Sequence, residues 1–411
     1  MCTFHDIRFV SRHREEFHSI KIMRDRLSSI LSKIKEKGNY RTIKYLKPLS
    51  SKRITYSGRE YLNLCSNSYL SLHTHPKVVE AAKQAVDKYG AGICSSRSVS
   101  GSIDLYEILE KEIAAYKGYR KGLIFSNGYM ANIGIISTLT HEGDVIFSDE
   151  LNHSSLIDSM RLSRAKKVIY HHRDVDDLER KIKKEKVKGK RFIVTETVFS
   201  MDGDIAPLAD LYSLKERYEL YIIVDDAHGT GVFGEKGTGV EELHALRGAM
   251  DIHMATFGKS LGSFGAFVLS DEVVIDFLIN RARTFMYTTA LPPPALGAAR
   301  AALSLVRESS SFKDELWSNI EYLRRGLKEA GFHLQDSFGP IVPIVVGEDT
   351  ATVEMQETLL EKGLFLQAIR PPTVPPGTSR LRFTIVRDLT REDMDYTIEA
   401  LSAAGKKQGL I

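Results

Sequence analysis

Cysteine is scarce in this sequence: Cys2, Cys65 and Cys94 are the 3 among 411 residues. Their odd number and wide scatter exclude a disulfide framework, and no pair has the spacing of a zinc site. An excess charge of one sign is also missing. The 57 lysines and arginines against 53 aspartates and glutamates leave +4, which does not argue for a nucleic-acid or membrane-surface partner. The densest basic run, Lys181 to Phe192, reads as a solvated helix end leading into a strand. No apolar run reaches the ~18 residues needed to span a bilayer. The amino terminus is basic but lacks a long apolar segment, and Asp6, Glu15 and Glu16 are out of place in an organellar transit peptide. A cytoplasmic location is the simplest expectation. G-x-S-x-G elbows, P-loops and metal-spaced His/Cys/Glu clusters are absent too, so no metal site is expected.

What is present is alternation. Helical spacing over Met23–Lys37 puts Met23, Leu27, Ile30, Leu31 and Ile34 on one face, and Gly38 with Asn39 ends it. Beyond it, helix patterns (Pro76–Tyr89, Ser102–Tyr116 capped by Ser102, Tyr129–Leu139, Ser154–Leu162, Asp176–Lys186, Leu208–Arg217) interleave with short apolar runs such as "GLIFS", "DVIFSD", "RFIVTET" and "LYIIVDDAH". Near-continuous apolar strands separated by helices imply an α/β fold, a mostly parallel central sheet with helices on both faces. A composition break at Pro292–Pro294 opens a smaller C-terminal α/β unit containing "IVPIVV" and "RLRFTIV". The predicted division is an N-terminal arm (1–60), a large domain (61–299) and a small domain (300–411).

Ligands in such sheets bind where parallel strands end. "VDDAHGTGVFG" ends a buried-looking strand in Asp225, Asp226 and His228; two adjacent carboxylates there are either solvated or matched by a cation. Glu196 and Ser200 follow another strand. His153 follows a third, ahead of a helix that Ser154 or Ser155 could cap. Asn127 and Gly128 sit at a helix start, where main-chain N–H groups favour a phosphate. Lys259, in "TFGKSLG", has no acidic neighbour. Gly229, Gly231 and Gly234 also match G-x-G-x-x-G, which would mean a nicotinamide oxidoreductase if a helix opened there. Each feature alone has an ordinary structural reading. Together they suit a cofactor with an aldehyde, a protonatable ring nitrogen, a phenolic oxygen and a phosphate, which is pyridoxal 5′-phosphate (PLP): lysine for the aldehyde, aspartate for the ring nitrogen.

From about Ile34 to Ala404 the chain resembles the α-oxoamine synthases. The motifs "LCSNSYLSL", "FSNGYMAN", "DELNHSSLIDS", "TETVFSMDGDIAPL", "VDDAHGTGVFG", "TFGKSLG" and "LRFT" occur in the family's order. The resemblance implies a fold-type-I PLP-dependent transferase that condenses an amino acid with an acyl thioester and releases carbon dioxide. It implies that Lys259 bonds the cofactor aldehyde, Asp225 pairs with the ring nitrogen, His228 bonds the phenolic oxygen and His153 stacks on the ring. Gly128, Tyr129, Ser200 and Thr256 would hold the phosphate. Thr288 and Thr289 would reach the partner's phosphate in a homodimer with active sites at the interface. Arg382 would grip the amino-acid carboxylate, with Arg41, Arg370 and Thr373 on the substrate side.

"AIRPPTVP" and "TFGK" most resemble the biotin-pathway member, which takes L-alanine and a pimeloyl thioester on coenzyme A or a carrier protein. Glycine C-acetyltransferase is the alternative. Two departures stand near the expected acyl side: Cys94 and Ser95 replace common glycines, and Tyr106 a common histidine. Gly258, Gly262 and Gly265 are expected to let the backbone pass close to the cofactor.

Overall fold

The computed structural model describes residues 7–36, 38 and 40–411, with side chains from Ile20 onward; Cys2, Asp6 and Asn39 lie outside the described residues. Helix α1 (Ile7–Glu36) begins well before the predicted start at Met23. Its stripe of Met23, Leu27, Ile30 and Leu31 is exposed.

Strands β1 (Lys47–Pro48), β2 (Arg53–Tyr56) and β3 (Arg59–Asn63) precede the large sheet. That sheet contains β4 (Lys121–Phe125), β5 (Val145–Asp149), β6 (Lys166–Tyr170), β7 (Arg191–Glu196), β8 (Tyr221–Asp225), β9 (Ile252–Thr256) and β10 (Ala266–Ser270). Its spatial order is β4-β10-β9-β8-β7-β5-β6. Only β10 is antiparallel to its neighbours, β4 and β9. The C-terminal part adds β11 (Ile341–Gly347), β12 (Leu364–Phe365), β13 (Gln367–Ile369) and β14 (Ser379–Thr384), of which β11, β14 and β13 form an antiparallel sheet.

Side chains alternate across a strand, so both faces of an apolar strand need cover. In β8, Ile222 and Val224 enter one buried cluster and Ile223 the other. Burying each such side chain stabilises by roughly 1.5–3 kcal/mol.

The helices that position the site start where local chemistry stops the strand. Helix α2 (Pro76–Tyr89) has proline in its first turn and Gly90 as its stop. Helix α3 (Asp104–Lys117) is not capped by Ser102. That hydroxyl instead donates to Arg97 O at 2.9 Å, and the helix opens two residues later. Helix α4 (Gly128–Leu139) is capped by Asn127, whose side chain accepts from Met130 N. Helix α5 (Ser154–Leu162) is capped by His153 itself rather than by a serine: the ring accepts from Ser155 N.

The proline run opens the helix Pro293–Glu308, which packs against α2 and α3. β12 pairs in parallel with β3, joining segments some three hundred residues apart. Phe338 N donates to Gly203 O at 2.7 Å, and Arg380 pairs with Asp202. The "SMDGD" loop is therefore held from the C-terminal unit. No helix among the described residues is long and apolar enough to cross a membrane.

Candidate active site

Since β4, β5, β7, β8 and β9 run the same way, their carboxyl ends open on one edge of the sheet. Gly128 follows β4, His153 follows β5, Glu196 ends β7, Asp225 ends β8, and Lys259 follows β9.

The two adjacent carboxylates separate into different roles. Asp226 is fully buried and pairs with the buried Lys117 at 2.8 Å, while Thr230 Oγ1 and Thr197 Oγ1 donate to it at 2.7 and 2.5 Å. Burial opposes its charge, but Lys117 and His253 outweigh it and hold the carboxyl below its ordinary pKa. Asp225 has no cation of this kind. Its Oδ1 accepts from Ala227 N at 3.0 Å and its Oδ2 from Asn132 Nδ2 at 2.9 Å. A carboxylate can accept more bonds than these two, so it can still take a protonated ring nitrogen.

His228 is buried, with Nδ1 at 2.5 Å from the Tyr69 hydroxyl. Burial drives its pKa well below the ordinary value, with Lys259 and Arg382 adding to the effect. Burial also raises the Tyr69 phenol to about 12 against the pull of Arg382. A neutral phenol beside a neutral imidazole donates to Nδ1, which leaves the proton on Nε2. Such a ring is a donor to a phenolic oxygen. His153 is more exposed, and burial nevertheless lowers its pKa, with Asp225 opposing.

Burial lowers the pKa of Lys259, and Asp225 and Glu196 offset it only in part. The shift moves the amine toward the neutral form that bonding to an aldehyde requires. Glu196 is buried, and its carboxyl is raised well above the ordinary range by burial and by Asp225. Its Oε2 accepts from Ser200 N at 3.2 Å.

Thr256 Oγ1 is buried without a partner. A Cβ at Gly128 would lie 2.9 Å from Thr256 Cγ2, so only glycine lets α4 start this close to the end of β9. Asn127 satisfies Met130 N and Ala131 N. The N–H groups of Gly128 and Tyr129 remain of the four a helix start leaves open. An orphan hydroxyl beside two open N–H groups fits a phosphate. Ser200 contributes through its main chain: Arg382 Nε donates to Ser200 O at 2.6 Å.

Arg382 is buried. Its NH1 and NH2 each donate to Asn67 Oδ1 at 3.2 Å, and NH1 also to Thr384 Oγ1 at 3.2 Å. The other candidate residues lie outside this cluster. Arg41 and Thr373 are exposed on loops. Arg370 donates to Gly38 O, tying its loop to the end of α1. The Tyr129 hydroxyl is engaged by Asp158. Thr289 is exposed and pairs across a bridge with Ser96, and Thr288 Oγ1 lies 3.9 Å from Met130 Sδ.

Gly229 and Gly231 lie in a turn and Gly234 in a bend, and the next helix is the short Val240–Leu243, so the G-x-G-x-x-G match lacks the helix that a dinucleotide site needs. A Cβ at Gly262 would lie 2.3 Å from His73 N, and one at Gly265 2.7 Å from Leu291 Cδ1. These two glycines let neighbouring chain approach closely. Cys94 occupies a left-handed φ of 57°, which explains why glycine suits that position. Tyr106 is buried, and its hydroxyl accepts from Leu291 N at 2.7 Å.

Asn67, Tyr69, Asn132 and Ser155 were not among the candidate residues. Asn132 carried a signal: a polar residue on the apolar helix α4, where burial demands a partner.

A profile of the aminotransferase class I and II family matches residues 59–401. The chain belongs to this family, in its α-oxoamine synthase branch. Among this branch, 8-amino-7-oxononanoate synthase of Geobacter sulfurreducens is 44% identical over 383 residues, covering 93% of this chain and 98% of its own. The enzyme of the same name from Thermoanaerobacter pseudethanolicus is 39% identical over 412 residues, covering 100% of both chains. Among solved structures, serine palmitoyltransferase of S. paucimobilis with bound PLP superposes with a TM-score of 0.89 at 30% identity, over 94% of this chain and 98% of its own. The 8-amino-7-oxononanoate synthase of Francisella tularensis gives 0.73 at 29% identity, over 85% and 99%. The α-oxoamine synthases matched here thus share both the fold and nearly the whole length.

Proposed function

We propose that this chain is a PLP-dependent acyltransferase that condenses L-alanine with a pimeloyl thioester, on coenzyme A or a carrier protein. The products are 8-amino-7-oxononanoate, carbon dioxide and the free thiol, in biotin biosynthesis. The observation that carries the reading is the match, end to end, to relatives named for this activity at 39% to 44% identity. The site supports it.

When bound, PLP supplies an aldehyde that bonds amines and a protonated ring that accepts the electron pair of a carbanion. Asp225 would hold the proton on the ring nitrogen. His228 would donate from Nε2 to the phenolic oxygen, and His153 would cover the ring. Lys259, its pKa lowered by burial, would bond the aldehyde and serve as the base for the α-proton. Thr256, Ser200 and the N–H groups of Gly128 and Tyr129 receive the phosphate. Arg382, already oriented by Asn67 and Thr384, takes the amino-acid carboxylate. Arg41, Arg370 and Thr373 would serve the substrate side.

A homodimer completes the reading. The exposed apolar stripe of α1 and the exposed Thr289 suit contact with a second copy. A substrate panel of alanine, glycine and serine against acetyl, succinyl, pimeloyl and long-chain thioesters tests it by thiol release. Pimeloyl transfer to alanine is expected to dominate, and a preference for glycine with acetyl-CoA would overturn the substrate assignment. Lys259→Ala should lose both turnover and the visible band of bound cofactor.

A further inference from the structure

Between Asp225 and His153 runs an unbroken chain of hydrogen bonds, buried from Asp225 to Ser155 and part-buried at His153. Asn132 Nδ2 donates to Asp225 Oδ2 at 2.9 Å and also to Ser155 Oγ at 2.9 Å. Ser155 Oγ lies 2.8 Å from His153 Nδ1. Ser155 N donates to the same ring nitrogen at 3.2 Å. Asn132 Oδ1, by contrast, is buried with no partner.

The orphaned oxygen identifies what sets the direction. Rotating the amide would turn Oδ1 toward Asp225, and an ionised carboxylate offers that oxygen no donor. The carboxylate therefore forces the NH₂ group to face it. Ser155 Oγ then accepts from Asn132, and its only proton is left for His153 Nδ1. The main-chain N–H of Ser155 points at the same atom. With two donors aimed at it, Nδ1 carries no proton, and the neutral ring keeps its proton on Nε2.

We propose that Asn132 and Ser155 are positioning residues through which the Asp225 carboxylate fixes the tautomer of His153, an assignment that rests on the function above only for its catalytic consequence. The one carboxylate then does two things. It holds the cofactor's ring proton, and it makes the ring-covering histidine a hydrogen-bond donor at Nε2. That donor suits a carbonyl oxygen that gains negative charge during acyl transfer. The helix starts of α4 and α5 are locked to each other by the same contacts, since Asn132 lies one turn into α4 and Ser155 in the first turn of α5.

The test uses full-length protein freed of cofactor, with nitrogen-labelled histidine rings read by multiple-bond proton–nitrogen correlation. His153 is assigned by the signal lost in His153→Ala. In the wild type the proton is expected on Nε2. Ser155→Ala removes one donor to Nδ1. Asp225→Asn lets Asn132 turn, so that Ser155 can donate to Oδ1 instead. Both should populate the Nδ1-protonated form, while Ser155→Thr should retain the wild-type tautomer. A wild type protonated on Nδ1 overturns the proposal. So does an unchanged tautomer in Asp225→Asn, because Ser155 would then act without the carboxylate. If Ser155→Ala does not fold, Asp225→Asn alone decides. In the PLP-loaded enzyme, Ser155→Ala should lower kcat about tenfold at constant KM for alanine, a part of the ~10²-fold a placed acid supplies, with recovery in Ser155→Thr. Failure of the functional reading looks different: the wild type stays colourless with added PLP while the tautomer signals are as stated.

Discussion

The hydroxyl of Tyr69 sits 2.5 Å from Nδ1 of His228, and both residues are buried. They lie 159 positions apart in sequence. Tyr69→Phe removes the donor and leaves a buried ring nitrogen without a partner, a loss of about 1–3 kcal/mol. A lower Tm is expected, with kcat reduced because the His228 proton is no longer confined to Nε2. Calorimetry and steady-state kinetics check this; an unchanged Tm together with unchanged kcat would show that the hydroxyl is idle.

Lys117 and Asp226 form a buried pair at 2.8 Å next to Asp225. Lys117→Met strands a buried carboxylate in a network that also contains Thr197, Thr230 and His253. Loss of about 3–5 kcal/mol is expected. Chemical denaturation measures it. The double variant with Asp226→Asn should recover part of the loss, since the charge is then gone as well.

His172 bridges two buried carboxylates, Asp149 at 2.9 Å and Asp204 at 2.7 Å. Burial opposes its charge, but hydrogen bonds to both aspartates prevail and raise its pKa from 6.5 to about 9. The folded state thus holds this proton more tightly than the unfolded chain. The stabilisation is complete below pH 6.5 and disappears as pH rises through about 9. The full shift corresponds to roughly 3 kcal/mol, less what solvent screening of the partly open ring removes. Tm should fall across that window in the wild type, and His172→Gln should flatten this part of the profile.

Arg382 donates to Ser200 O, Asn67 Oδ1 and Thr384 Oγ1. A lysine cannot keep these contacts and also grip a carboxylate as a planar fork does. In Arg382→Lys, KM for alanine should rise about a hundredfold, with the cofactor band retained. A variant with normal KM would move the carboxylate site elsewhere.

Much of the frame was legible because it is periodic. The near-continuous apolar runs of β5, β7 and β8 and the proline and glycine limits of α2 appear in the chain order that the sheet uses. The residues at those strand ends were legible as a set for the same reason: a parallel sheet brings successive carboxyl ends to one edge. The strands flanking Lys259 were not, because the glycine-rich 253–270 stretch dilutes the apolar pattern and only pairing of β9 with β10 makes it regular. A helix start moved where a side chain had a better partner elsewhere, as with Ser102 bonding Arg97, whereas the start at Ser154 was right and only its cap, His153 in place of a serine, was not.

By itself the sequence determined which chemical groups to look for: Asp225, His228 and His153 follow from the ends of apolar strands, and Lys259 from its motif. Tertiary structure alone decided the state of those groups. Asp226 is neutralised by a lysine 109 residues away, Asp225 is oriented by an asparagine 93 residues away, and Arg382 is steadied by Asn67 across 315. Periodicity reports the faces of one element, whereas charge, tautomer and pKa depend on whatever the fold brings within a few ångströms. That is why the lysine could be named from its own short stretch, and the lowering of its pKa could not.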